Sequence, residues 1–238
     1  LAPDIIEGSK SLVVITGNAG DGKTVFLRRF EERLESEGAR RELDLARNGS
    51  VITVGEHVFL TNWDGSQDAG ENSNDEVLLD FFAPFAGCGE TNPTSGETSV
   101  IAINEGRLLD FFNSHEEQFA QLRQYFDRLQ TGDTEGVPDW LIVINLNRRS
   151  LTGPGDAALI PQLIRKLAAD QLWSECDGCP AFDSCPSRSN AEMFRHPIIG
   201  QRAIGRIREL FDIVRLRGRM HITARDLVSA ISYLFTGN

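Results

Sequence analysis

Eight residues near the start of the chain carry the densest chemistry: Gly17-Asn18-Ala19-Gly20-Asp21-Gly22-Lys23-Thr24. They fill every fixed position of G-x-x-x-x-G-K-[ST], the P-loop pattern. Glycines reach main-chain conformations closed to other residues, so several backbone N–H groups can converge on one anion. A helix opening at the same point adds the positive end of its dipole. In that pattern Lys23 would reach the β- and γ-phosphates of a nucleotide, and the Thr24 hydroxyl would ligate Mg²⁺. Val25 extends the same cofactor-binding stretch. The expectation is a nucleoside triphosphate site.

Such a loop needs a strand before it and a helix after it. Ser11-Leu12-Val13-Val14-Ile15-Thr16 is a short apolar, β-branched run that reads as a buried strand. Residues 24–34 read as a helix, with Val25/Phe26, Phe30 and Leu34 on one face. Further along, 39–47 reads as a short helix, and 51–54 and 57–61 as two strands joined by a tight turn at Gly55-Glu56. Residues 76–85 could form a short helix, 100–104 is a buried strand, and 106–129 is one long helix or two joined near Asn113-Ser114. Residues 140–146 give another strand. From about residue 156 the pattern is helical: 157–173, then a stripe of Ile204, Ile207, Leu210/Phe211 and Val214, then a helix opened by Thr223 with Asp226 as its capping-box partner. Strands alternating with helices predict an α/β fold, a parallel sheet flanked by helices, followed by a small all-helical unit. The expected division is 1–153 and 154–238, with a boundary near Gly153-Pro154-Gly155.

The formal charge of −11 argues against a uniformly basic nucleic-acid binder. Its distribution says more. Residues 61–136 hold fifteen Asp/Glu against Arg107, Arg123 and Arg128, whereas 202–225 holds Arg202, Arg206, Arg208, Arg215, Arg217, Arg219 and Arg225. An acidic body and a basic C-terminal module are expected; a solvated face and a nucleic-acid site both fit the latter. No run approaches the ~18 apolar residues of a membrane span, and Leu1-Ala2-Pro3-Asp4 opens no signal peptide, so the expected location is cytoplasmic. The start without Met suggests an excised domain.

Cys176, Cys179 and Cys185 form C-x₂-C-x₅-C within a segment, about 174–197, that interrupts the helical unit. In a reducing compartment this spacing points to a metal more than to disulfides. Zn²⁺ would need a fourth ligand, for which His196 is nearest and Cys88 an alternative. An iron–sulfur cluster also fits three or four cysteines, and free thiols are the third alternative.

An α/β P-loop core followed by a helical module resembles an AAA+ ATPase with its lid. Gly200-Gln201-Arg202-Ala203, the Leu216-Arg217-Gly218-Arg219 helix end and Ile222-Thr223-Ala224-Arg225-Asp226-Leu227 resemble the lid of MoxR-type members, with Gln201 in place of a Pro. The resemblance implies ATP, with Arg202 as sensor 2, the lid arginine directed at the γ-phosphate. It also implies a strand ending in Asp-Glu that holds Mg²⁺ and activates water, and here the chain departs: no strand ends that way. Asp64, just past the strand at 57–61, and Glu105, after Ile101-Ala102-Ile103-Asn104, are the two candidates. Strand counting favours Asp64 for the metal, which makes Asn104 the sensor 1 residue, with Glu105 the rival as water activator. Members of the family complete each site with an arginine from a neighbouring subunit; Arg123 and Arg128 lie on the helix before the last strand, where that arginine usually sits, and Arg148 and Arg149 follow the last strand. The loop sequence together with a cysteine-bearing lid looks similar to ATPases of bacterial anti-phage defence, in particular the DptF type of DNA-phosphorothioation-dependent restriction.

Three functions follow as expectations. The first is an Mg²⁺-dependent ATPase that self-oligomerises into a ring or filament and works with other subunits of a multi-protein, DNA-directed system. The second is a nucleotide-dependent assembly switch without hydrolysis. The third is a nucleic-acid-binding module, reading DNA through its basic lid, with ATP secondary.

Overall fold

Uninterrupted apolar runs form the centre of a six-stranded sheet in the computed structural model, which describes residues 9–89, 91–94, 96–148, 158–217 and 222–237. The strands are β1 (Leu12–Gly17), β2 (Arg40–Asp44), β3 (Gly49–Val54), β4 (His57–Asn62), β5 (Glu97–Asn104) and β6 (Leu141–Asn145), in the order β2-β3-β4-β5-β1-β6. β4, β5, β1 and β6 run parallel, while β3 is antiparallel to β4 and β2 antiparallel to β3. The molecule is therefore α/β with a mostly parallel sheet flanked by helices. The chain divides into two compact units, Leu1–Arg148 and Arg149–Asn238.

Among the described residues four α-helices accompany the sheet: α1 (Lys23–Ser36), α2 (Asn74–Phe82), α3 (Glu105–Ser114) and α4 (Glu116–Thr131). Side chains alternate across a strand, so neighbours in β1 serve opposite faces. Val13 and Ile15 pack with Leu27, Phe30 and Leu34 of α1, whereas Leu12 and Val14 pack with Leu108, Phe111, Phe112, Phe119, Leu122 and Phe126 of α3 and α4. Full burial of each such side chain contributes about 1.5–3 kcal/mol, which outweighs the few tenths per residue of helix propensity. The chain leaving β1 thus goes to one face and the chain leaving the adjacent β5 goes to the other. Two neighbouring parallel strands whose connections diverge mark a switch point, where a crevice opens outside their carboxyl ends.

Two expectations for this unit need correction. Residues 40–44 of the expected 39–47 helix form edge strand β2, and Leu45–Arg47 make one 3₁₀ turn. Pairing of Arg40–Asp44 with Gly49–Thr53 overrides the helix preference of this charged stretch. On α1 the buried stripe is Leu27, Phe30, Glu31 and Leu34; Val25 and Phe26, assigned to that face from sequence, are exposed. The 106–129 stretch, expected as one long helix or two joined near Asn113-Ser114, is two helices, separated at His115.

The second unit is built from α5 (Leu159–Leu167), α6 (Pro186–Arg195), α7 (Ile199–Leu216) and α8 (Ala224–Thr236). Ile160, Ile164, Phe194, Ile204, Leu227, Ile231 and Phe235 form its core. The expected 157–173 helix ends at Leu167, and Leu210, placed on the apolar stripe of α7 from sequence, is exposed. Thr223 and Asp226 do form a capping box at the start of α8. Gly153–Gly155, the expected boundary, lies outside the described residues, as do Arg149 and Arg219. Among the described residues no helix is long and apolar enough to cross a membrane.

Candidate functional site

Sheet register gathers the polar strand ends on one edge. Gly17 lies opposite Asn104, Thr16 opposite Asn145, and Asn62 opposite Ile101. The loop from Gly17 to Gly22 crosses this edge at the β1/β5 switch point and opens α1. Gly22, the N-cap, sits in the left-handed region at φ 91°, and no side chain caps the helix. The first N–H groups of a helix have no intrahelical partner, so this end presents donors and positive dipole together. A Cβ added to Gly22 would meet nothing within 4 Å.

The loop is braced from both sides. The Asn18 N–H donates to Asp21 Oδ2 (2.7 Å) and to Asn147 Oδ1 (3.0 Å), and the Asp21 N–H donates back to the Asn18 carbonyl at 3.2 Å. Lys23 Nζ folds over the loop, donating to the carbonyls of Gly17 (3.0 Å) and Asn18 (2.9 Å). Burial pulls the lysine's pKa below its ordinary 10.5, while the carboxylates of Asp64 and Asp21 oppose the shift. The Thr24 hydroxyl donates to the Trp63 carbonyl at 3.2 Å. Lys23 and Thr24 are therefore fixed on the first turn of α1 beside the loop that carries Asp64.

Asp64 lies two residues past the end of β4. Its Oδ1 accepts from the Ser66 N–H at 3.0 Å and its Oδ2 from the Gln67 amide at 2.9 Å, while its own N–H donates to Asn62 Oδ1. The turn lies flat on β5: the Gly65 N–H bonds the Ala102 carbonyl, and a Cβ at Gly65 would come within 2.8 Å of Ile101 Cδ1. Asn104 caps α3, its Oδ1 accepting from the Gly106 N–H at 3.0 Å. Glu105 is half-buried, and its Oε2 accepts from the amides of Asn147 (2.8 Å) and Asn145 (3.3 Å). Since Asn147 also holds the Asn18 N–H, Glu105 is connected to the Gly17–Gly22 loop through one side chain.

Of the expected site residues, Gly17–Val25, Asp64, Asn104 and Glu105 thus lie at or beside one edge of the sheet. Arg202 is exposed in the first turn of α7, in the second unit. Arg123 pairs with Asp127, Arg128 reaches the Glu135 carbonyl, and Arg148 the Gln130 carbonyl. Arg206 pairs with Glu209. Cys176, Cys179 and Cys185 lie on consecutive turns between α5 and α6, and His196 Nδ1 accepts from the N–H groups of Ile198 and Ile199 at 3.2 Å. Among the described residues no three or more His, Cys, Asp or Glu side chains are grouped to hold a metal ion. The donor types suit zinc, but the arrangement is not a closed cage. Cys88 belongs to the first unit, where its Sγ bonds the Pro84 carbonyl and burial raises its pKa.

Sequence reasoning missed Asn147, Trp63 and Glu31. Trp63 touches Thr24 through its carbonyl and Glu31 through its indole N–H, and Glu31 is fully buried. The one available signal was Glu31 at the fourth position of the Leu27, Phe30, Leu34 stripe, where a carboxylate must find partners. No family model, curated protein or solved structure matches the chain.

Proposed function

We propose that the first unit binds Mg²⁺–ATP at Gly17–Thr24 and hydrolyses it as an AAA+-type ATPase. In this reading the protein self-oligomerises and serves a multi-protein, DNA-directed machine of the phosphorothioation-dependent restriction type. The observation that carries the reading is the uncapped start of α1 at the β1/β5 switch point, with Lys23 Nζ folded onto the loop carbonyls and Thr24 beside the Asp64 turn. The open space over Gly22 and the free first-turn donors suit a polyphosphate. ATP would supply the anhydride that is broken. The chain's own part is to neutralise and orient: backbone N–H groups and Lys23 take the phosphate oxygens, and Thr24 and Asp64 hold the metal. Glu105, tied to the loop through Asn147, is the group within this edge able to accept a proton from water.

The test compares ATP binding and phosphate release by the unaltered chain and by Lys23→Ala. The expected result is loss of both in the variant; equal turnover would refute the reading. A second reading, a switch that binds ATP without splitting it, is favoured by one observation. Asp64 gives both oxygens to its own turn, and Glu105 gives one to two amides, so neither candidate carboxylate is unengaged. Tight binding with no phosphate release, even at concentrations where the chain self-associates, selects the switch.

A further inference from the structure

α1 carries a buried carboxylate, Glu31, whose partners lie on the strands beneath it and on Trp63, the residue just past β4. Glu31 Oε1 accepts from Thr61 Oγ1 at 2.5 Å, Trp63 Nε1 at 2.8 Å and Ser50 Oγ at 2.9 Å, and its Oε2 faces Arg41 Nη1 at 3.5 Å. Thr61 in turn accepts from the Ser50 N–H at 2.9 Å. A buried carboxylate is strongly unfavourable unless paired and hydrogen-bonded, and an apolar residue would fill the same stripe without that penalty. The arrangement therefore calls for a role besides packing.

Its geometry indicates one. Trp63 is held twice by α1: its indole N–H by Glu31, and its ring by the Arg28 guanidinium, 5.4 Å from the ring centroid. Its backbone N–H donates to the Asn48 carbonyl at 2.8 Å, and its backbone carbonyl accepts from the Thr24 hydroxyl at 3.2 Å. The next residue is Asp64, whose carbonyl is held by the Asn48 amide at 3.1 Å. Thr24 and Asp64 come from elements separated by about forty residues, and the Glu31–Trp63 pair is the side-chain bridge that fixes one against the other.

We propose that Glu31 and Trp63 are positioning residues that set the spacing of Thr24 and Asp64 for a divalent cation. This rests on the reading above, in which those two residues hold Mg²⁺. Groups that orient metal ligands without touching the metal typically govern about 10–100-fold of its affinity.

Calorimetric titration of ATP into the full chain, once in EDTA and once in Mg²⁺, isolates the metal-dependent gain in affinity. Trp63→Phe removes the indole donor and keeps the ring under Arg28, and Glu31→Gln removes the charge. Both variants are expected to keep most of their EDTA affinity and to lose about tenfold or more of the magnesium-dependent gain. A full magnesium gain in both overturns the inference, and so does an equal fall in EDTA and Mg²⁺, which would mark general loosening. Should Glu31→Gln fail to fold, Trp63→Phe decides alone. No ATP binding by the unaltered chain would overturn the nucleotide reading and the inference together, whereas binding lost in Lys23→Ala but metal gain intact in the variants overturns the inference alone.

Discussion

Gly22→Ala separates what the Gly17–Gly22 loop contributes to stability from what it contributes to the proposed ATP binding. At φ 91° an alanine sits in the left-handed region, at a cost of about 1–2 kcal/mol. No steric term adds to it, because the new Cβ meets nothing within 4 Å. For a unit of this size that loss lowers the melting temperature by about 2–8 °C. Binding should suffer far more, since the methyl group enters the space assigned to a phosphate oxygen. Displacing that oxygen from two N–H donors forfeits about 1.5–3 kcal/mol for each charged hydrogen bond, or about 10²–10⁴ in Kd. Thermal unfolding monitored by circular dichroism gives the first quantity, and titration with ATP the second. A chain that melts a few degrees lower but binds ATP as before would show that the space over Gly22 is not ligand space.

The two candidate carboxylates should separate by kind of defect: Asp64→Asn is expected to lose at least about tenfold of the Mg²⁺ dependence of binding. Glu105→Gln should bind ATP normally and slow phosphate release by about 10²–10⁴, the usual contribution of a general base. Burial holds the His57 imidazole below its ordinary pKa of 6.5, against the opposing charge of Glu97. The unfolded chain therefore binds the extra proton first, and stability falls as pH drops below 6.5. His57→Gln should flatten that part of a melting-temperature profile and leave the region above it unchanged; parallel profiles would exclude the effect. We also propose that Cys176, Cys179 and Cys185, with His196 as fourth ligand, bind one Zn²⁺, which elemental analysis of the purified chain and the effect of a chelator on melting would show. Metal-free protein of undiminished stability removes that site.

The central strands were legible because burial on both faces leaves an unbroken apolar run, as in Val13-Val14-Ile15 and Val100-Ile101-Ala102-Ile103. β2 was not, since Arg40-Arg41-Glu42-Leu43-Asp44 lies at the edge, exposed, and its only strand-forming cause is β3 across the ladder. The strand–loop–helix at Gly17–Lys23 was legible for a different reason: its parts are contiguous, and the glycines, lysine and threonine follow one fixed spacing. Its braces are not contiguous. Asn147 meets Asn18 across 129 residues, and no local pattern distinguishes it from any asparagine after a strand.

Glu31 shows how the two kinds of legibility fail together. Glu31, Glu32 and Glu35 look alike in sequence, and a run of glutamates on a helix reads as a solvated face. What sets Glu31 apart is its phase: three before Leu34 and four after Leu27, it points with the apolar stripe into the sheet. There it finds two hydroxyls and an indole, two of them on or just past β4, the strand that leads into Asp64. A helix whose first turn holds Lys23 and Thr24 is thus joined, two turns later, to the strand that leads into Asp64. Breaking that join should leave the phosphate cradle standing and misplace the metal ligand opposite it, so the separate response of nucleotide and metal affinity is the measurement on which the assignment of this edge turns.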